Sequence, residues 1–213
     1  LRAAGAGVMA VDLVMAGEVH NAFCAVRPPG HHAERSNAMG FCFFNNIAVA
    51  AKHALKVHGL TRVAIVDFDV HHGNGTEECF RNDMQVLMVS TFQHPFYPYS
   101  GTDQPAPNMI NIPLPSGTGG DEFCQVVSDF WLPRLRDFKP EMIFISAGFD
   151  AHYEDDLGGL KLLEKDFSWV TEQIKQIADE TAQGRIVSIL EGGYVLSALA
   201  RSVAAHIKVL AGI

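Results

Sequence analysis

Cysteine is scarce in this chain, and the four present, Cys24, Cys42, Cys79 and Cys124, show no paired spacing. That excludes a disulfide framework or a cysteine-based zinc knuckle as the organising device; Cys42 reads best as a small buried hydrophobe. Basic charge is short as well. The formal net charge is −8, which leaves no footprint for nucleic acid. No run of about 18 apolar residues marks a membrane span, and no segment has the layout of a signal peptide. No repeat, low-complexity stretch or linker interrupts the 213 residues. The expectation is one domain with a cytoplasmic location and no nucleic-acid or membrane partner. Its acidic surface suits cationic substrates through long-range steering.

What is present is alternation. Hydrophobic residues make up 48% of the chain, enough for one well-buried core. Apolar, β-branched segments predict strands near 22–26, 62–68, 85–91, 109–113, 141–147 and 186–191. Amphipathic segments predict helices near 3–18, 45–58, 120–137, 165–182 and 195–211. This order implies an α/β fold in three layers, α/β/α, on a mostly parallel sheet. The longest loop, 91–108, is rich in Pro, Tyr and Gly, and long loops in compact domains are often functional.

Polar chemistry gathers where these strands end. The strand Arg62–Val66 runs into Asp67-Phe68-Asp69-Val70-His71-His72-Gly73-Asn74-Gly75. Side chains two apart on an extended segment point the same way, so Asp69 and His71 can grip one divalent ion. A polar strand end opening a Gly-rich turn reads the same. His31 and His32 follow a rigid Pro28-Pro29-Gly30 turn that is not expected in a core. Such a pair suits acid–base work or scavenging of a surface metal. Ile143–Ala147 leads through Gly148-Phe149 to Asp150, either a third ligand or an ordinary cap. Ile186–Leu190 leads through Glu191-Gly192-Gly193 to Tyr194. That phenol either donates to a developing oxyanion or packs on the next helix. Of the remaining histidines, His53, His58 and His206 read as helix-surface residues, while His94 and His152 sit in loops.

In this order, Pro-Gly-His-His, Asp-x-Asp-x-His-His-Gly-Asn-Gly, Gly-Phe-Asp and Glu-Gly-Gly-Tyr resemble the zinc-dependent histone deacetylase family, with its arginase-like fold. Bacterial relatives include acetylpolyamine amidohydrolases and histone deacetylase-like amidohydrolases. Asn74 and the Leu-Glu-Gly-Gly-Tyr ending look like the class II branch. The resemblance implies Asp69, His71 and Asp150 as zinc ligands, with Fe²⁺ able to use the same set. It implies His32 as general base and then acid, His31 as its electrostatic partner, Asp67 and Asn74 as their orienting residues, and Tyr194 as oxyanion donor.

The same resemblance implies a tunnel walled by Gly40, Phe41 and Tyr97 with Leu157 at its rim; without it, Phe41 and Tyr97 read as loop-anchoring aromatics. Leu157 in place of an acidic residue disfavours a dedicated polyamine gatekeeper. Structural K⁺ is implied at Asp67, Asp69, His71, Ser90 and Thr91, and a second K⁺ at Phe80, Asp83 and Val86. The implied reaction is hydrolysis of an acylated lysine, with acylated polyamines or other small amines as the alternative. An inactive acyl-lysine-binding scaffold and a dimanganese ureohydrolase are the further readings. The chain opens at Leu1 in what reads as a helix under way, so the expectation is a catalytic domain lacking its N-terminal portion, including a first strand and a substrate-gripping loop.

Overall fold

Strand and helix formation follow the burial pattern residue by residue. In the computed structural model, which describes residues 1–103 and 106–213, six strands form one parallel sheet. They are β1 (Asn21–Cys24), β2 (Val63–Asp67), β3 (Val86–Gln93), β4 (Met109–Leu114), β5 (Met142–Ala147) and β6 (Ile186–Leu190). Along β2, Ala64 and Val66 enter one core while Val63 and Ile65 enter the other. β5 repeats this, with Ile143 and Ile145 on one side and Met142 and Phe144 on the opposite. Period-two alternation with apolar side chains on both faces is what a doubly covered parallel strand requires.

The helices are α1 (Arg2–Met15), α2 (Asn46–Lys56), α3 (Asn74–Phe80), α4 (Gly120–Val126), α5 (Leu132–Phe138), α6 (Glu164–Thr181) and α7 (Leu196–Ala211). α1 and α2 cover one face, contributing Val11, Val14, Ile47, Ala51 and Leu55. α4 to α7 cover the other through Phe123, Leu135, Phe167, Ile174 and Leu210. Among the described residues, no helix is long and apolar enough to cross a membrane.

The strand order is β1-β6-β5-β2-β3-β4. From β2 the chain winds outward through β3 and β4, then returns to lay β5 against the other side of β2. That reversal opens a crevice between the C-terminal ends of β2 and β5, where open α/β sheets bind their ligands.

Three details depart from the sequence expectation. The segment after Gly73, which reads as a Gly-rich turn, forms the short helix α3. The predicted helix over 120–137 is interrupted by a π-helical turn at Val127–Trp131. His206 is not on a helix surface but fully buried, between Thr171 Oγ1 at 2.7 Å and Ser188 Oγ at 2.9 Å. A residue on α7 can face the sheet wherever a hydroxyl pair satisfies its ring, and helical spacing alone does not reveal such partners.

Candidate active site

The crevice between β2 and β5 receives the sequence-predicted metal ligands. Asp69 and His71 leave the end of β2, and Asp150 leaves the end of β5. His71 Nδ1 stands 3.0 Å from Asp69 Oδ1 and 3.2 Å from Asp150 Oδ2. Both carboxylates are buried, and Asp150 Oδ2 has no hydrogen-bond partner of good geometry among the described residues. The other carboxylate oxygens are held by backbone amides, Val70 N on Asp150 Oδ1 and Gly192 N on Asp69 Oδ2. A Cβ on Gly192 would lie 2.0 Å from Asp150 Oδ2, so glycine is needed for the loop to approach. Two buried carboxylates and an imidazole converging on one point, with an orphaned oxygen among them, fit a zinc ion. Burial opposes a charge on His71, but its contacts with Asp150 and Asp69 outweigh that and raise its pKa to about 10. Burial and the neighbouring Asp69 push Asp150 up to about 6. The cluster thus already organises around a positive charge.

His31 and His32 lie next to it. Contrary to the expectation from the Pro-Pro-Gly turn, both are buried, at 2% and 4% exposure. Their rings are 4.1 Å apart between centroids. His31 Nδ1 bonds Asp67 Oδ2 at 2.9 Å, and His32 Nδ1 bonds Asn74 Oδ1 at 2.7 Å. The partners set opposite protonation. Burial disfavours charge on His31, yet Asp69 and Asp67 together hold its pKa well above the usual imidazole value. His32 has only a neutral amide at Nδ1, so burial and the His31 charge push its pKa down to about 3. His32 is therefore the neutral imidazole of the pair, the one able to accept a proton. Asn74 in turn donates to Glu34 Oε1 at 2.8 Å, which fixes the amide's orientation.

Above these groups opens a cavity of about 550 Å³ floored by His32 and His71. Gly40, Phe41, Tyr97 and Leu157 line it, together with Tyr194, Phe96 and Asp156. Gly40 and Phe41 both have positive φ, 55° and 64°, at the tip of a hairpin closed by the Cys42 amide on the Met39 carbonyl. A type I′ turn needs that backbone at both central positions. A Cβ on Gly40 would fall 2.2 Å from His32, so the wall packs directly on the His32 ring. Phe96 stacks on His71 at 5.4 Å, and Tyr97 meets His32 edge-on at 5.2 Å. Tyr194 meets Phe41 edge-on at 5.9 Å, under Arg27. Burial pushes the Tyr194 phenol well above its usual range, so it is a hydrogen-bond donor at neutral pH.

The histone deacetylase domain, as a family model, matches residues 1–210. The chain belongs to the histone deacetylase family. It is 41% identical to histone deacetylase 14, chloroplastic, of Arabidopsis thaliana, over 100% of this chain and 53% of that protein. It is 40% identical to the polyamine deacetylase HDAC10 of Mus musculus, over 99% of this chain and 33% of that protein. The crystal structure of the HDA15 HD domain superposes with a TM-score of 0.92 at 38% identity, covering 99% of this chain and 61% of that one. The chain thus spans about half the length of the Arabidopsis relative and a third of the mouse one.

Within this deacetylase-family pocket, sequence reasoning passed over three supports. Glu191, fully buried, accepts from the Gly30 and His31 amides through Oε2 and from Ser146 Oγ through Oε1. It pins the histidine loop to the sheet. Asp155 accepts from the Tyr194 and Val195 amides through Oδ2 and from the Leu157 amide through Oδ1. It ties the phenol to the rim. Asp156 places a carboxylate beside Leu157 at the mouth, so the rim is less apolar than Leu157 alone suggested. Glu191 was visible as a charged residue at the end of an apolar strand, whereas Asp155 and Asp156 gave no signal. His72 is occupied by Glu77 and Ser100, each at 2.8 Å, and takes no part in the metal cluster.

The two potassium expectations separate. At the first set, the Ser90 hydroxyl is buried without a partner among the described residues, opposite Asp67 in the β2–β3 register. An orphaned buried oxygen there fits a cation. At the second, the carbonyls of Phe80, Asp83 and Val86 accept from Asn108 Nδ2 at 2.9, 3.1 and 2.9 Å. A side-chain amide stands among them, and the Asp83 and Val86 amides also donate to the Phe80 and Asp83 carbonyls, so the protein's own groups reach all three.

Proposed function

We propose that this domain hydrolyses an acylated amine, most simply the ε-acetyl amide of lysine, with zinc held by Asp69, His71 and Asp150. The observation that carries this reading is His32, held at Nδ1 by the Asn74 amide oxygen, beside that ligand cluster at the floor of an aromatic-walled cavity. Zinc bound there supplies a Lewis acid that polarises the amide carbonyl and acidifies water. His32 takes the proton of the attacking water and later returns it to the departing amine. His31, charged against Asp67, offsets the negative charge that gathers in the site. Tyr194 donates its hydroxyl hydrogen bond to the carbonyl oxygen as that oxygen becomes an oxyanion. Phe41, Phe96 and Tyr97 bury the alkyl stem of the substrate without needing charge. Potassium at Asp67, Asp69, His71, Ser90 and Thr91 belongs to this proposal as a structural ion.

A second reading, an acetylpolyamine amidohydrolase, is favoured by Asp156 at the mouth, because a carboxylate there suits a second ammonium on the substrate. Turnover of acetyl-lysine peptides, longer acyl-lysines and acetylpolyamines, before and after chelation and zinc readdition, tests both. Zinc-restored activity on acetyl-lysine peptide supports the first reading, and preference for acetylpolyamines supports the second. Stoichiometric zinc without turnover of any of these overturns hydrolysis and leaves an acyl-lysine-binding scaffold.

A further inference from the structure

The expected helix-surface residues His53 and His58 instead turn to one carboxylate. His53 Nε2 lies 2.6 Å from Asp12 Oδ1, and His58 Nε2 lies 2.7 Å from the same oxygen. The rings meet edge-on at 5.3 Å. The imidazoles are mostly covered, at 19% and 23% exposure, while Asp12 stays half open at 52%. All three donor atoms lie within 4.8 Å of one another.

Local structure explains the convergence. Asp12 stands near the end of α1, which packs along α2, and His53 is in the last turn of α2. Beyond α2 the chain folds back at Gly59, with φ 70°, and the Leu60 amide reaches the Ala54 carbonyl at 3.3 Å. That turn swings His58 over His53. Because α1 leads into β1 and α2 into β2, this corner lies where the parallel strands begin. The catalytic crevice lies at the opposite end of the sheet.

We propose that Asp12, His53 and His58 form a second metal site, for a divalent transition ion such as Zn²⁺, that fastens α1 to α2 and takes no part in turnover. Two imidazole nitrogens and a carboxylate oxygen are a donor set of the right hardness for such an ion. Both rings present Nε2 inward to one point, which is how a pair shares an ion. The open side of Asp12 leaves room for water to complete the coordination and for the ion to enter. Ligands from two helices and a reversing loop are rigid enough to form before the ion arrives.

The test is metal content after equilibration with micromolar free Zn²⁺, in the wild type, in His53→Gln/His58→Gln and in Asp150→Ala. The wild type should carry one equivalent more than the double variant, and the double variant should keep wild-type turnover. Asp150→Ala should retain an equivalent despite losing the catalytic one, which separates this site from the reading above. Replacing zinc with Co²⁺ should give a ligand-field absorption component that the double variant lacks. Should the double variant misfold, Asp12→Asn offers the same comparison. Equal metal content in wild type and variant overturns the proposal and leaves Asp12 as a plain hydrogen-bond acceptor.

Discussion

His32 Nδ1 rests 2.7 Å from Asn74 Oδ1, while its neighbour His31 rests 2.9 Å from a carboxylate. The chain has divided one pair of imidazoles into a charged member and a neutral one by choosing an amide for one partner and an acid for the other. In the proposed mechanism this makes His32 the proton acceptor beside a fixed cation.

Asn74→Asp should undo that division. A carboxylate at Nδ1 favours imidazolium and raises the His32 pKa by about one to three units. The acidic limb of the kcat/KM profile should therefore move to higher pH, because the base is protonated until later in the titration. An unshifted limb would show that His32 is not the group whose ionisation controls the rate.

Tyr194→Phe should keep zinc and substrate affinity but lower kcat by roughly 10² to 10³-fold, the usual cost of losing one oxyanion donor. Asp155→Ala should do the same more weakly, because Asp155 holds the Tyr194 and Val195 amides without touching substrate. Steady-state kinetics with parallel zinc analysis checks both. An unchanged kcat in Tyr194→Phe would remove the phenol from the mechanism.

The candidate-site residues Asp69, His71, Asp150 and Tyr194 were legible because each sits within a few residues of an apolar strand end, and a parallel sheet delivers such ends to one edge. Strand assignment and the topological switch gather them at one edge, while the roles expected of them came from the family resemblance of their motifs. Phe96 and Asp156 were not legible, since both lie in loops whose paths depend on packing rather than on period. Helix α3 was hidden by Gly73 and Gly75, which read as a turn. Gly75 is there because a Cβ would fall 2.2 Å from the Ala33 carbonyl oxygen, a tertiary reason no local pattern reveals. His206 was misplaced for a related cause, because the hydroxyls that satisfy it come from other elements.

Asn108 gives a prediction about ions. Its amide has two N–H donors among three carbonyls, those of Phe80 and Val86 buried and that of Asp83 partly so. Asn108→Ala should take one donor from each carbonyl, although Asp83 N still reaches the Phe80 carbonyl and Val86 N the Asp83 carbonyl, and lower stability by about 1–2 kcal/mol in sodium buffer. Potassium should restore part of that loss, because the emptied cradle is all oxygen. Urea melts in sodium and potassium buffers read this out. If potassium gives the variant no advantage over wild type, the carbonyls do not form a cation cradle.

The final prediction concerns acid stability. Burial lowers the His206 pKa to about 3 from an ordinary 6.5, so the folded ring stays neutral where the unfolded one is charged. Between those two values the unfolded chain binds the extra proton, and stability falls as pH falls. Above about pH 6.5 the group contributes no pH dependence. His206→Gln should cost stability near neutral pH, through disturbed bonds to Thr171 and Ser188, yet flatten the acid side of the profile. The difference in slope between wild type and variant should approach about 1.4 kcal/mol per pH unit for the one proton involved. Comparing urea midpoints across this range isolates the term, because the other titrating groups are common to both proteins. Parallel profiles would mean that His206 is protonated in the folded state and that its two hydroxyl partners do not hold it neutral.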